Sequence, residues 1–573
     1  HHLTLSGSGA KTLTNVGTIN GDLTLSGLAT ATTAIATTIG GNLSIAFGTT
    51  FTAAGFNLTV TGTTTVNGTL AHSSATGTKI YTGNVTLGAA SACSNAGNSN
   101  ITFRGGLTQN GFGLTSGSGI YTFDTNAQAV GGAFGFTISN VTVTGITLTN
   151  NSTGFTVGTA LAGTGTLAQG SGATLNIGGT STITTLTATV NPNLVNYSGA
   201  AQTVIATTYH DLTLSGSGVK TMPGSTLTVG GNFTMSGTCT ATAAAAVNTA
   251  GNFTIGGTNT FATGAFTHDL KGNFTDNGTF TATGSTFTLT GTSAQSLGGT
   301  AAPTFGNVTL SGTAAVTTAV GVTVGGALTV GTGCTFTVAG FAFTVSGATS
   351  VTGTLAHSSA TGAKTYTGLV TLNSGGAWSN AGNSAITFRG GLTDNGTSFS
   401  SGTGVYTFDT NAQAIGGTDA ITIGSVTVTG VTLTNNLASF AVSTALAGSG
   451  TLLRASGATL DIGGTSTITA LTATTVPNTV TYSSGSAQTV FPTTYHHLTL
   501  SGTTTAKTLT GVSTINGDLT LTGSPTATTA AAMTIGGNLV VGTGGALTVA
   551  GFDFTVTGTT SVTGTLDHSS TTG

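Results

Sequence analysis

The stretch Tyr209–Gly216, YHDLTLSG, sets a His beside an Asp, next to a Tyr and ahead of a run that alternates apolar and hydroxyl residues. An imidazole next to a carboxylate is half of a general-base pair or half of a metal site. Near-copies open the chain, His1–Gly7 HHLTLSG, and stand at Tyr495–Gly502, YHHLTLSG. Other stretches also have the types and spacing for chemistry. Gly7–Thr12 GSGAKT and Gly216–Thr221 GSGVKT resemble phosphate-cradling loops after a strand. Asn42, Asn57, Asn84, Asn232, Asn252, Asn273 and Asn307 each begin an Asn-x-Thr/Ser sequon. Gly416–Asp419, GGTD, is the nearest approach to a calcium-binding turn.

Each of these weakens on its own terms. The Gly-Lys pair of the phosphate motif is broken by Ala10 or Val219, Pro223 follows the second copy, and the third copy, TTTAKT, has lost its glycines. The GGTD turn is not repeated in series, and 12 acids over the whole chain are too few for a calcium spine. Polysaccharide cleavage needs clustered carboxylates, yet the chain has no Glu and only Arg104, Arg389 and Arg454 as arginines. Arg104 precedes Asp124 by one short repeat unit, and Arg389 precedes Asp409 by the same interval; both pairs are expected as structural ion pairs. His72 in LAHSSATG returns as His357 and His568, but these copies lie too far apart in the chain to meet.

The elements that must carry these residues are strands. Only 4% of the 573 residues are charged, against about 25% in ordinary soluble domains. Helix-surface residues are nearly missing, while Thr, Val, Ile and Phe favour strands and the 93 Gly with many Asn favour turns. No apolar run is long enough to span a membrane as a helix. A net charge of −3 and nine scattered cations exclude tracking of a phosphate backbone, so no nucleic-acid partner is expected.

Short units beginning LTL, LSI, LTV, VTL, ITF and YTF recur at intervals of roughly 20 residues, the length of one β-solenoid coil. A longer repeat overlies them: Thr102–Gly106 TFRGG returns as Thr387–Gly391, and Tyr121–Ala129 YTFDTNAQA as Tyr406–Ala414, with one and the same offset. The pattern predicts an all-β parallel solenoid with coils of about 20 residues and Asn/Asp corners, continuous over 1–573. Its long-repeat copies are 1–209, 210–495 and a truncated 496–573. About 28 coils at ~4.8 Å each make a rod on the order of 135 Å long. One inward column is expected from Leu3, Leu23, Leu43, Leu58, Val85, Ile101, Tyr121 and Val141, with Thr outward between it and the next. The residue before each strand (Asp22, Asn42, Asn57, Asn84, Asp211, Asn232 and their kin) forms a corner column that suits left-handed backbone and a side-chain ladder. His2, Asp211 and His497 fall in that column, so YHDLTLSG reads as a corner. The sequons are by-products of the same corner, and glycans on coils about 5 Å apart would collide. Cys93, Cys239 and Cys334 are too far apart along a stack to bridge and are expected as free thiols.

This coil pattern resembles that of the large secreted β-strand-repeat proteins of prokaryotes, filamentous-haemagglutinin-like or autotransporter-type adhesins, in periodicity and composition over the whole chain. The resemblance implies an extracellular or cell-surface component. The chain begins on a complete strand and stops inside a repeat without a polar cap, which leads us to expect self-association into a fibre, sheath or surface layer. Copies of itself are the expected partners. An adhesin or binding module recognising glycan, and in second place ice, through flat Thr/Asn faces is the alternative. No catalytic, cofactor or metal residues are expected, and no enzymatic activity.

Overall fold

The structure, a computed structural model, describes residues 1–569 and 571 and contains no helix among them. The chain divides into two units, His1–Thr281 and Ala282–Gly573. The division falls inside the second long repeat.

In the first unit the early coils have three short strands each, longer strands such as Phe155–Gln169 take over further on, and equivalent strands of successive coils pair in parallel. One stack runs Leu3–Leu5, Leu23–Leu25, Leu43–Ile45, Thr64–Val66, Val85–Leu87. A second runs Thr37–Ile39, Leu58–Val60, Lys79–Tyr81, Ile101–Phe103, Ile120–Phe123. A third runs Ser8–Leu13, Leu28–Thr33, Thr50–Ala53, Thr69–His72, Ala92–Ser94. The register advances by one short repeat unit per coil, as in Leu3↔Leu23↔Leu43. The second unit is also a parallel solenoid and repeats the plan: Phe336↔Leu355↔Trp378 reproduces Phe51↔Leu70↔Cys93.

The strands follow from the pleat. In Leu23–Leu25 the two leucines are fully buried and Thr24 between them faces outward. The expected single apolar column is two columns. Leu43 pairs with Thr64, not Leu58, and Leu58 pairs with Lys79, not Val85. The buried inward polar residues Thr64 and Lys79 broke the apolar pattern there, so the sequence pattern jumped to the neighbouring side of the coil.

Aromatic columns fill the interior. Phe233, Phe253 and Phe274 are in register, with ring centroids 4.6 and 5.7 Å apart. Such pairs contribute about 0.5–1.5 kcal/mol each beyond their buried area. Phe103 and Phe123 pair as the long repeat predicts, at 5.4 Å, as do Phe388 and Phe408 at 5.5 Å. All three cysteines are free and buried, and burial pushes the Cys93 thiol up to about 12.

Candidate functional site

The corner residues do form a ladder, but not the expected one. At most corners the side-chain oxygen accepts from the backbone N–H of the corner one coil later, whereas Asn84 donates its Nδ2 to the Thr86 and Thr108 hydroxyls. Asn42 N–H donates to Asp22 Oδ1 at 2.7 Å, and Thr63 N–H donates to Asn42 Oδ1 at 2.8 Å. The second run passes through Asp211, Asn232, Asn252 and Asn273 at 2.6–2.9 Å. Amide-to-amide bonding occurs at Asn196 and Asn176, 3.0 Å apart. None of the corner residues Asp22, Asn42, Asn57, Asn84, Asp211 or Asn232 is left-handed; the positive φ values among described non-glycines belong to Asn98, Thr125, Asn383, Thr410 and Thr504. What selects Asn and Asp is the acceptor, held where the next coil's N–H has no ladder partner.

His and Asp interchange in this column because both can accept. His2 Nδ1 takes the Asp22 N–H at 3.0 Å, and His497 Nδ1 takes the Asp518 N–H at 3.0 Å. His210 Nδ1 lies 3.1 Å from Asp211 Oδ2, while Asp211 Oδ1 is committed to the ladder. Tyr209 points inward and meets Tyr197 hydroxyl to hydroxyl at 2.8 Å. The three side chains of YHDLTLSG therefore serve a corner and a buried phenol pair. No group of three or more metal-ligating residues occurs among the described residues.

The cations are mostly internal. Arg104 and Arg389 pair with Asp124 and Asp409 at 2.9 and 2.8 Å, as their spacing predicts. Lys79 is fully buried and donates to the carbonyls of Phe56, Thr76 and Gly77 at 2.9–3.0 Å. Lys364 repeats this on Phe341, Thr361 and Gly362. The lysine of GSGVKT, Lys220, also turns inward, to Gly199 O and Gln202 Oε1. It closes a corner and presents no ammonium to a phosphate. Arg454 is fully buried: Nη2 donates to Ala458 and Thr479 carbonyls, and Nε and Nη1 have no partner. Burial lowers its pKa to about 9. Sequence reasoning missed these buried cations. Their signal was position: Lys79 stands two residues before the inward Tyr81, as Lys364 does before Tyr366.

His72 and His357 are buried, each with Nε2 against a phenol oxygen, Tyr81 at 2.8 Å and Tyr366 at 2.7 Å. Burial pushes their pKa values down to about 4 and about 3. His568 is exposed. The outward Thr59/Thr61 and Thr142/Thr144 pairs face solvent at least in part. The third stack of the first unit carries two adjacent outward columns, with Thr30 and Thr32 over Thr50 and Thr52. Ala71 and Ala92 then break them.

One feature lined by hydroxyls recurs in both units. In the first unit the strand Thr180–Thr187 pairs back onto Phe155–Gln169, but no ladder joins it to Gln202–Thr203 in the next coil, which begins a separate sheet. Gln202 crosses the break: Nε2 donates to Ile177 O and Gly179 O at 2.7 and 2.8 Å, while Oε1 accepts from Lys220 Nζ at 2.7 Å. Beyond it lies a groove of about 310 Å3 lined by Thr180, Ser181, Thr182, Thr203 and Thr221. In the second unit Gln488 and Lys507 repeat the crossing, beside a groove of about 490 Å3 lined by Thr465, Ser466, Thr467 and Thr489.

No family model, curated protein or solved structure matches the chain.

Proposed function

We propose that this chain is a structural component of a prokaryotic extracellular fibre, sheath or surface layer, of the filamentous-haemagglutinin-like or autotransporter-type kind, built by stacking or lateral association of solenoids. In this reading it is not an enzyme. The observation that carries it is the surface. Of nine basic side chains, Lys79, Lys220, Lys364, Lys507 and Arg454 are buried, and Arg104 and Arg389 are tied to aspartates. Lys11 and Lys271 remain as the cations outside these arrangements. What faces solvent is mainly Thr, Ser, Asn and Gly, which can bond across a contact, with little like-charge repulsion to hold neighbours apart. Light scattering against protein concentration tests this. Growth of large species that high salt does not dissolve is the expected result; an unchanged monomer refutes it.

The second reading is a binding module that recognises glycan. The hydroxyl-lined groove found in both units favours it.

A further inference from the structure

We propose that the two grooves beside Gln202 and Gln488 each hold one sugar residue of an uncharged saccharide. This goes beyond the fibre reading and does not depend on it; it deepens the glycan reading by moving recognition from the flat Thr faces into two defined sites.

Four observations meet here. First, the site is built twice. Thr180–Thr182 and Thr465–Thr467 both read TST, and Ala201–Val204 and Ala487–Val490 both read AQTV, around the same interrupted ladder. Second, the lining is neutral and two-way: hydroxyls that both donate and accept, flanked by strand edges that no neighbouring strand covers. No charged or aromatic side chain lines either groove. The nearest cations, Lys220 and Lys507, have their ammonium groups committed to a carbonyl and a Gln oxygen. A polyhydroxylated ligand matches this lining; a phosphate or carboxylate finds no counter-charge. Third, both copies keep the same alternation: Ser181 lies in register with the buried Leu161 and Ser466 with the buried Leu446, so these serines turn inward and the threonines on either side of them turn outward. The hydroxyls open to a ligand are thus those of Thr180 and Thr182 in one copy and Thr465 and Thr467 in the other. Fourth, both volumes, about 310 and about 490 Å3, lie in the range of small-molecule sites, roughly 300–1,000 Å3.

The two sites should differ in strength. The second-unit groove is lined also by Ser443 and Ser484, where the first unit has Gly158 and Gly199 at the equivalent long-repeat positions. The extra hydroxyls make it the tighter site, because each added bond is lost by a ligand that cannot make it.

The test is titration calorimetry of the whole chain with malto-, cello- and chitohexaose, repeated in high salt and with a Thr/Ser-rich extended peptide. Expected is binding of at least one of these sugars at two sites per chain, with affinity insensitive to salt because no charge takes part. The pair Thr467→Val and Thr489→Val removes the tighter site and leaves the weaker. Adding Thr182→Val and Thr203→Val removes both. These threonines are at the surface, so circular dichroism should stay unchanged. Three results each overturn the proposal: no heat with any of the three sugars, stoichiometry that the Val variants leave unaltered, or capture of the peptide alone, which would make the grooves strand-addition sites.

Discussion

His72 and His357 are imidazoles in an interior that gives each a phenol oxygen and no carboxylate. The unfolded chain takes up their protons near pH 6.5; the folded one resists down to about 4 and about 3. Below pH 6.5 the unfolded state therefore binds more protons, and stability falls as pH falls, levelling off once the folded pKa is passed. At 1.36 kcal/mol per unit the loss reaches about 3 kcal/mol or more for each residue. Burial raises Asp276 and Asp394, and their relief on protonation runs the other way, offsetting part of that loss. Denaturant midpoints measured from neutral to acid pH should show the decline, and His72→Gln with His357→Gln should flatten it. A decline of the same size in the double variant would remove the histidines from the explanation. Arg454 gives a second residue-scale prediction. It stands where the first unit has Gln169, whose Oε1 accepts from Asn150. Arg454→Gln takes an unpaired charge out of the interior and should raise stability by about 1–3 kcal/mol. Destabilisation on the same assay would show that the guanidinium has a partner the geometry does not reveal.

At the scale of the strand and the corner, Asp22, Asn42, Asp211, Asn232 and Asn252 each serve the coil after them. Removing the acceptor with Asn252→Ala leaves the Asn273 N–H without its 2.9 Å partner. The cost should be about 0.5–1.5 kcal/mol, and hydrogen exchange should quicken at Asn273 before it does so at the buried strand Phe253–Ile255. Uniform quickening along the coil would mean that the corner is not a separable unit. The same scale shows what was legible in advance. Alternation of apolar and hydroxyl residues fixed the strands, the constant offset of the long repeat fixed the aromatic pairs, and the one-coil spacing of Arg and Asp fixed both of their bridges. The corner column was also legible, but its mechanism was not: composition points to left-handed turns, whereas coil-to-coil bonds depend on a neighbour one full coil away in the chain. The inward columns were misassigned at Thr64 and Lys79 because a buried polar residue looks like an outward one until its partners are known. The recurring TST and AQTV stretches do not by themselves announce a groove, since an interrupted ladder is a relation between two coils and changes the composition of neither.

At the scale of the whole molecule, placing cations inside has two consequences. One is resistance to proteases that cut after Lys and Arg. Native protein treated with trypsin should be cut first at Lys11 and Lys271, and after unfolding at the buried Lys79, Lys220, Lys364, Lys507 and Arg454 as well. Early cleavage at Lys220 in the native state would contradict its closure on Gln202. The other consequence is a surface with hydroxyls to share and almost no charge to keep copies apart, on which the fibre reading rests. Electron microscopy of the native material at rising concentration tests that reading most directly. Filaments or layers in which solenoids stack or lie side by side are expected, with coil spacing of ~4.8 Å running through them. A field of dispersed, separate molecules at every concentration would contradict it and leave the saccharide-binding reading in its place.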